Sequence, residues 1–175
     1  RRPCLIHGVT GSGKTRVYME LIGRILEEGK QAIVLIPEIA LTYQTVLRFY
    51  RRFGDQVSVL HSQLSQGERF DQFERAKRGE IRVMIGPRSA LFTPFPDLGL
   101  IIMDEEHENS YQSENTPRYH ARETAQERAK LENALFVMGS ATPSVEAYFR
   151  STQGEYRLVS LTHRYGNARL PAVHV

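Results

Sequence analysis

Residues 8–15 read Gly-Val-Thr-Gly-Ser-Gly-Lys-Thr, and they stand between the apolar run Cys4–Ile6 and an amphipathic pattern. The glycines let successive backbone N–H groups turn around phosphate oxygens, Lys14 supplies a positive charge, and the Thr15 hydroxyl suits Mg²⁺. The N-terminus of the following helix adds the positive end of its dipole. The sequence therefore predicts a strand, a phosphate-binding loop and a helix; the alternative is a glycine-rich turn without a ligand. The predicted nucleotide-binding residues are Gly8, Val9, Thr10, Gly11, Ser12, Gly13, Lys14 and Thr15.

Strand and helix patterns alternate along the rest of the chain. Apolar residues recur every three or four positions from Val17 to Leu26 and stop before Gly29, which predicts a helix. The nearly continuous apolar run at 31–36 suits a strand that is covered on both faces. This alternation predicts an α/β fold with a mostly parallel sheet and right-handed crossovers. Further helices are expected at 39–53, 65–78, 121–131 and 144–150, and further strands at 57–60, 81–85, 98–103, 134–138 and 156–161.

Composition narrows the class of protein. A chain of 175 residues with 41% hydrophobic and 25% charged residues is long enough for one domain with a substantial core. Its lack of a long apolar run or a secretory pattern predicts no membrane partner, and the single Cys4 is compatible with a reducing cytoplasm. The net charge of +3 does not by itself indicate a nucleic-acid binder. Basic clusters at two helix ends suit nucleic acid or simply complement the helix dipoles: Arg48, Arg51, Arg52 and Arg75, Lys77, Arg78.

A pair of acids follows the apolar strand at 98–103. Phosphoryl transfer needs a metal ion to neutralise phosphate charge and a group that orients the nucleophile, so Asp104 suits Mg²⁺ and Glu105 suits the general base. The alternative is a helix cap or a solvated turn. Ligands of parallel sheets bind beyond the carboxyl ends of the strands, where the loop at 8–15, Asp104 and Gly139 all fall.

Six motifs together resemble superfamily 2 helicases of the DEAH type, and among them the bacterial primosomal replication-restart helicases. The matching segments are 8–15, Leu-Ile-Pro-Glu-Ile-Ala-Leu-Thr at 35–42, Ile-Gly-Pro-Arg-Ser-Ala-Leu-Phe at 85–92, Asp-Glu-Glu-His at 104–107, Pro-Arg-Tyr-His-Ala-Arg at 117–122 and Gly-Ser-Ala-Thr-Pro-Ser at 139–144. The resemblance implies a RecA-like three-layer fold, with a first ATP-binding motor domain at 1–162. It also implies that 163–175 starts a linker toward zinc-binding and second motor domains. ATP and Mg²⁺ are the implied cofactors, and zinc is expected only in the longer protein.

The resemblance also implies roles for individual residues. Lys14, Asp104, Glu105 and His107 would be catalytic, with Thr15 and Asp104 on Mg²⁺ and His107 between the nucleotide and the 139–144 motif. Ser140 and Thr142 would couple the nucleotide state to the grip on DNA. Without the resemblance, His107 is an ordinary surface or structural histidine, and Ser140 and Thr142 form a helix cap.

The candidate DNA contacts fall in three segments. Arg88 and Ser89, with Thr42 as a weaker candidate, suit backbone phosphates, although Arg88 also fits an ordinary surface charge. The polar stretch 108–119 is predicted to be either a DNA-sensing loop or a disordered one. In that region Tyr111 and Tyr119 would stack on bases while Arg118 and Arg122 contact phosphates. Pro117 replaces an aromatic residue that some relatives carry.

Three functions remain open at this point: a 3′-to-5′ DNA helicase motor, a duplex translocase that does not separate strands, and a nucleotide-gated binding module without turnover. The pair Asp104 and Glu105 argues against the third, since a sensor needs no base. The expected partners are DNA forks and single-strand/duplex junctions, single-stranded DNA-binding protein and primosome proteins, in a cytoplasmic, nucleoid-associated setting. An isolated first motor domain is expected to bind Mg-nucleotide weakly and not to unwind DNA.

Overall fold

The computed structural model describes residues 1–163 as a three-layer α/β sandwich. The strands are β1 (Cys4–Gly8), β2 (Gln31–Leu35), β3 (Val57–Val59), β4 (Val83–Gly86), β5 (Leu98–Asp104), β6 (Leu135–Ser140) and β7 (Arg157–Leu161). The α-helices are α1 (Lys14–Glu27), α2 (Tyr43–Phe53), α3 (Gln66–Lys77), α4 (Ala121–Leu131) and α5 (Val145–Thr152). The linker predicted at 163–175 lies, apart from its first residue, outside the described residues.

The sheet has the strand order β3-β4-β2-β5-β6-β1-β7, and each neighbouring pair is parallel. The expected α/β class with a parallel sheet is therefore confirmed. The register pairs His7 of β1 with Ser140 of β6, and Asp104 of β5 with Gly139 of β6. These pairings bring the end of β1, both predicted acids and the predicted coupling motif to one edge of the sheet.

Two apolar layers cover the sheet, because side chains alternate between its faces. Leu5 points to one layer and Ile6 to the other. Helices α1 and α2 cover the Ile6 face, with Tyr18 and Phe49 among their buried side chains. Helices α3, α4 and α5 cover the opposite face, where α4 contributes alanines rather than large apolar residues. Small side chains let this helix lie close to the sheet.

The helix ends explain where the structure departs from the sequence prediction. The helix expected at 39–53 begins at Tyr43, because Thr42 accepts a hydrogen bond from the Thr45 N–H and caps it. Ile39 lies in a separate 3₁₀ turn and is 81% exposed, so the first four residues of the predicted helix are not part of it. Ser144, and not Ser140 or Thr142, caps α5 through a bond from the Ala147 N–H.

The stretch 108–119, for which disorder was one alternative, has a defined path in the structure. It contains a 3₁₀ turn at Asn109–Tyr111, and Gln112 forms an isolated antiparallel bridge with His120 just beyond it. The Ser113 N–H also donates to the Tyr119 carbonyl. Within residues 1–163, none of the helices has the length and apolar character needed to cross a bilayer.

Candidate nucleotide and DNA sites

A cleft of about 600 Å³ opens at the carboxyl edge of the sheet. Its floor is the loop at residues 10–15, and Asp104 and Glu105 form part of its wall. Met19 from α1, with Arg48 and Arg52 from α2, line the same cleft. The two arginines belong to a basic cluster that sequence reasoning left between two interpretations. Arg48 and Arg52 lie beside the predicted nucleotide site because of the way α2 packs. That packing could not be predicted from the sequence.

The loop at 8–15 has the backbone that phosphate binding requires. Gly11 and Gly13 adopt positive φ values of 80° and 91°, which only glycine reaches without strain. Gly8 is needed for space, since a Cβ atom there would lie 2.4 Å from the Ser12 hydroxyl oxygen. That hydroxyl is buried and has no hydrogen-bond partner within the described residues. An unpaired buried hydroxyl beside a helix N-terminus fits a loop that is completed by a phosphate oxygen.

Lys14 lies inside this loop and is only 9% exposed. Its ammonium group donates to the Gly8 carbonyl oxygen over 2.9 Å and lies 3.9 Å from Oε1 of Glu105. A lysine ammonium has three N–H donors, so the bond to Gly8 leaves donors for phosphate oxygens. The arrangement holds a positive charge at the base of the cleft.

Asp104 ends β5 and is held by two buried tyrosines. The Tyr18 hydroxyl donates to its Oδ1 over 2.9 Å, and the Tyr111 hydroxyl donates to its backbone carbonyl oxygen over 2.6 Å. Burial raises the pKa of the Asp104 carboxyl, while the hydrogen bond from Tyr18 acts in the opposite direction. A cation in the cleft would favour the charged carboxylate further.

The Mg²⁺ prediction fits the residues at this cleft. Mg²⁺ binds hard oxygen ligands and usually keeps several waters, with one or two carboxylates and substrate phosphates completing its shell. The Asp104 carboxylate and the Thr15 hydroxyl, both in the cleft, are ligands of that kind. Within residues 1–163 there is no group of three or more His, Cys, Asp or Glu side chains placed to hold a metal ion.

Glu105 occupies a strained position in the same cleft. Its φ of 46° lies in the left-handed region, which costs a non-glycine residue about 1–3 kcal/mol. Its Oε2 lies 3.7 Å from Nδ1 of His107. The same Nδ1 lies 2.7 Å from the Ser140 hydroxyl, which also accepts from the Thr142 N–H. A chain of polar contacts thus runs from Glu105 to the 139–144 motif.

Glu106 makes a second link between these segments, and sequence reasoning assigned it no role. Its side chain is fully buried and accepts from the Ser144 N–H over 2.6 Å and from the Ser144 hydroxyl over 3.0 Å. Nη1 of Arg122 lies 3.4 Å from its Oε2, and Nη2 of Arg122 lies 2.5 Å from Glu146. The only sequence signal was two acids in a row after Asp104, which does not show that one of them points inward.

Two of the predicted DNA contacts are wrong in this structure. Tyr111 is 1% exposed, because its ring packs in the core beneath the sheet edge and its hydroxyl bonds to backbone. Arg122 is 4% exposed and lies between Glu106 and Glu146. A buried ring cannot stack on a base, and a buried, paired guanidinium cannot reach a phosphate. Both residues have polar neighbours in the sequence, which suggested that they lie at the surface. Tertiary packing buries both side chains instead.

The other DNA candidates lie at or near the surface. Thr42 and Arg118 are exposed, and Ser89 is half-buried beside Arg88 in a 3₁₀ turn. Nη1 of Arg88 donates to the carbonyl oxygens of Ser110 and Gln112, so this side chain supports the stretch 108–119. Tyr119 is half-buried, with its ring edge-on to Phe92 at 5.3 Å. The second basic cluster forms ion pairs with nearby acids, as expected of a solvated helix end: Arg75 and Arg78 with Glu80, and Lys77 with Glu74.

The family model for DEAD/DEAH box helicases matches residues 1–149, which include the loop, both acids and the 139–144 motif. The chain belongs to the DEAD/DEAH box helicase family. Within this family its resemblance to bacterial replication-restart proteins is confirmed. It is 53% identical over 169 residues to the replication restart protein PriA of Bacillus subtilis, and 49% identical over 174 residues to that of Treponema pallidum.

These relatives are much longer than the helicase domain described here. The matches cover 97% and 99% of this chain but 21% and 26% of the two relatives. The helicase domain therefore corresponds to about a fifth to a quarter of each relative.

Solved structures support the RecA-like helicase fold expected from the resemblance. The helicase domain of Pyrococcus furiosus Hef superposes with a TM-score of 0.64 at 20% identity, over 92% of this chain and 35% of Hef. RecG bound to a three-way DNA junction gives a TM-score of 0.66 at 23% identity, over 96% of this chain and 22% of RecG. At these identities the likeness establishes the fold of this DEAD/DEAH box helicase domain.

Proposed function

We propose that this chain is the first motor domain of an ATP-dependent 3′-to-5′ DNA helicase that acts in replication restart. The observation that carries the proposal is the single cleft where Lys14, Asp104 and Glu105 meet, with His107 leading from it to Ser140. A site that only senses nucleotide needs the loop, but it does not need a base beside the phosphates.

In this proposal, different residues of the cleft bind the phosphates, hold the metal ion and accept the proton. Lys14 and the N–H groups at the start of α1 bind the β- and γ-phosphates. Thr15 and Asp104 hold Mg²⁺, which when bound neutralises charge on the phosphate oxygens. Glu105 accepts the proton of the attacking water. Its Oε1 lies 3.9 Å from the Lys14 ammonium group, on the side of the cleft where the phosphates bind. His107 and Ser140 pass the state of this site to the segment beyond Thr142.

Residues of three surface segments, 35–42, 85–92 and 108–119, are proposed to contact DNA. Arg88 and Ser89 supply donors from segment 85–92, and Thr42 supplies one from segment 35–42. Arg118 and Tyr119 lie on the stretch that follows the acids. Arg88 bonds to the backbone at Ser110 and Gln112. DNA that takes Arg88 as a phosphate contact would therefore also release part of this stretch. In this proposal the exchange lets 108–119 report DNA binding to the nucleotide cleft.

Properties of the longer protein rest on the resemblance to PriA alone. We propose that the longer protein also contains a zinc-binding region and a second motor domain. Its proposed partners are DNA forks, single-stranded DNA-binding protein and primosome proteins in the bacterial cytoplasm. The isolated chain is proposed to bind Mg-nucleotide and not to unwind DNA, since an arginine from a second domain contributes about 10³–10⁵ in rate in related phosphoryl-transfer systems.

The test compares three variants of the longer protein for DNA-stimulated ATP hydrolysis. Lys14→Ala and Glu105→Gln are expected to abolish hydrolysis while binding to a labelled fork remains. Glu127→Gln, an exposed acid on α4 that does not line the cleft, is the control and is expected to hydrolyse ATP like the wild type. Normal turnover by Glu105→Gln would show that Glu105 is not the base.

A strand-separation assay on the same fork distinguishes a helicase from a duplex translocase. Release of the labelled strand with ATP, and its loss in Lys14→Ala, supports the helicase. ATP turnover on duplex DNA without strand release would favour the translocase. Robust DNA-stimulated turnover or unwinding by the isolated chain would contradict the proposed need for a second domain.

A further inference from the structure

Tyr18 stands on the same face of α1 as Lys14, one helical turn further along. Its side chain is 1% exposed and crosses from α1 to the end of β5. The hydroxyl reaches Oδ1 of Asp104 over 2.9 Å. The helix that begins at the phosphate loop thus also contacts the carboxylate across the cleft.

Gly139 provides the room for this contact. It lies beside Asp104 in the register of β5 and β6. A Cβ atom at position 139 would lie 1.7 Å from the Tyr18 hydroxyl oxygen and 2.9 Å from the adjoining ring carbon. Any other residue at this position would therefore push the hydroxyl away from Asp104.

The Tyr18 hydroxyl makes a hydrogen bond that the aromatic ring alone cannot make. The ring fills the apolar layer between α1 and the sheet, and phenylalanine would fill it equally well. The hydroxyl adds one directed hydrogen bond, which restricts rotation of the carboxylate at the end of a strand. Outer groups that orient a metal ligand in this way typically contribute about 10–100-fold to metal affinity or activity.

We propose that Tyr18 is a positioning residue that orients the Asp104 carboxylate toward Mg²⁺, and that Gly139 keeps the space for its hydroxyl. The inference rests on the proposed function, in which Asp104 is a ligand of nucleotide-bound Mg²⁺. It assigns Tyr18 no contact with the nucleotide. Loss of the hydroxyl should therefore weaken the response to Mg²⁺ and leave metal-free nucleotide binding unchanged.

The experiment measures binding of a fluorescent ATP analogue to the chain, first in EDTA and then during titration with MgCl₂. Tyr18→Phe is expected to raise the Mg²⁺ concentration at half-effect by about tenfold, with the same binding in EDTA. Tyr156→Phe is the matched control, because Tyr156 is also buried and bonds through its hydroxyl, to Gln126 over 3.1 Å. It is expected to leave the Mg²⁺ midpoint unchanged. Melting temperatures of both variants show how much each hydroxyl contributes to stability alone.

Asp104→Asn separates failure of this inference from failure of the proposed function. If Asp104→Asn loses the Mg²⁺ response while the midpoint of Tyr18→Phe stays within about twofold of wild type, only the positioning role is overturned. If wild type shows no Mg²⁺ response, or Asp104→Asn responds like wild type, the metal assignment fails and the positioning role fails with it.

Gly139→Ala tests whether the Tyr18 hydroxyl needs the space that Gly139 leaves. In the wild-type background it is expected to raise the Mg²⁺ midpoint at least as much as Tyr18→Phe does. In the Tyr18→Phe background it should add little, because the closest overlap is with the hydroxyl oxygen, which that variant lacks. Fully multiplicative effects of the two substitutions would contradict a shared cause.

Discussion

Replacing Glu106 with alanine should destabilise the chain strongly, although this residue is not assigned to catalysis. The Glu106 side chain is fully buried, and the Arg122 side chain beside it is 5% exposed. Removing one partner of a buried ion pair typically costs about 3–5 kcal/mol, because the other charge stays buried without compensation. Glu146 still pairs with Arg122, so we expect a loss near the lower limit, about 3 kcal/mol in the free energy of unfolding.

The same substitution also removes the acceptor of the Ser144 N–H at the start of α5. A buried donor without a partner costs about 1–3 kcal/mol, and this cost overlaps with that of the ion pair. For a chain of this length, 1 kcal/mol corresponds to roughly 2–4 °C in melting temperature. The expected fall for Glu106→Ala is therefore about 6–12 °C, followed by circular dichroism during heating and by urea denaturation.

The control is Glu127→Ala, which removes an acid from an exposed pair with Lys130. It should change the free energy of unfolding by less than about 1 kcal/mol, as surface pairs generally do. A double variant with Arg122→Met tests the cause, since it removes both buried charges. It should be less destabilised than the two single losses added together. A loss below about 1 kcal/mol for Glu106→Ala, or strict additivity with Arg122→Met, would refute the buried-pair argument.

Three further predictions concern stability away from the cleft. The His120 ring caps α4 by accepting from the Arg122 N–H, and burial lowers its pKa, so the folded chain favours the neutral ring. This contribution is complete above pH 6.5 and is lost as the pH falls below that value. Melting temperatures at pH 7.5 and 5.5 should therefore differ more for wild type than for His120→Asn, and equal differences would contradict the cap. Ser65→Ala breaks the capping box of α3 and should lower the free energy of unfolding in urea by about 1 kcal/mol; no change would show that water caps this exposed end equally well. Gly86→Ala should cost about 1–3 kcal/mol in the same assay, because its Cβ would lie 2.8 Å from a backbone oxygen, whereas Gly67→Ala, which has open space within α3, should be neutral or stabilising.

Much of the fold was predictable from local patterns. The helix at 121–131 has the expected bounds, and each of the seven predicted strands exists with bounds shifted by only a residue or two at most ends. Buried parallel strands are short apolar runs between turn residues, so their identity survives without tertiary information. The start of α2 was predicted four residues too early. Thr42 was assigned to DNA, and its hydroxyl caps α2.

The candidate site divides in the same way. The loop at 8–15 and the acids after β5 could be predicted because the residues that define each of them are adjacent in the sequence. The roles of Tyr18, Glu106 and Arg122 depend on partners that are 16–86 residues away along the chain. Their sequence neighbours carry no trace of those contacts.

The sequence by itself determined the nucleotide loop, the parallel α/β class and the resemblance to DEAH-type helicases, because each of these depends on residue types at short spacing. The tertiary structure alone decided which polar side chains point inward. Tyr111 and Arg122 looked like surface contacts for DNA, yet both are buried, since packing of the stretch 108–122 against the sheet edge gives them backbone and carboxylate partners. The direction in which a side chain points depends on what the rest of the chain places around it.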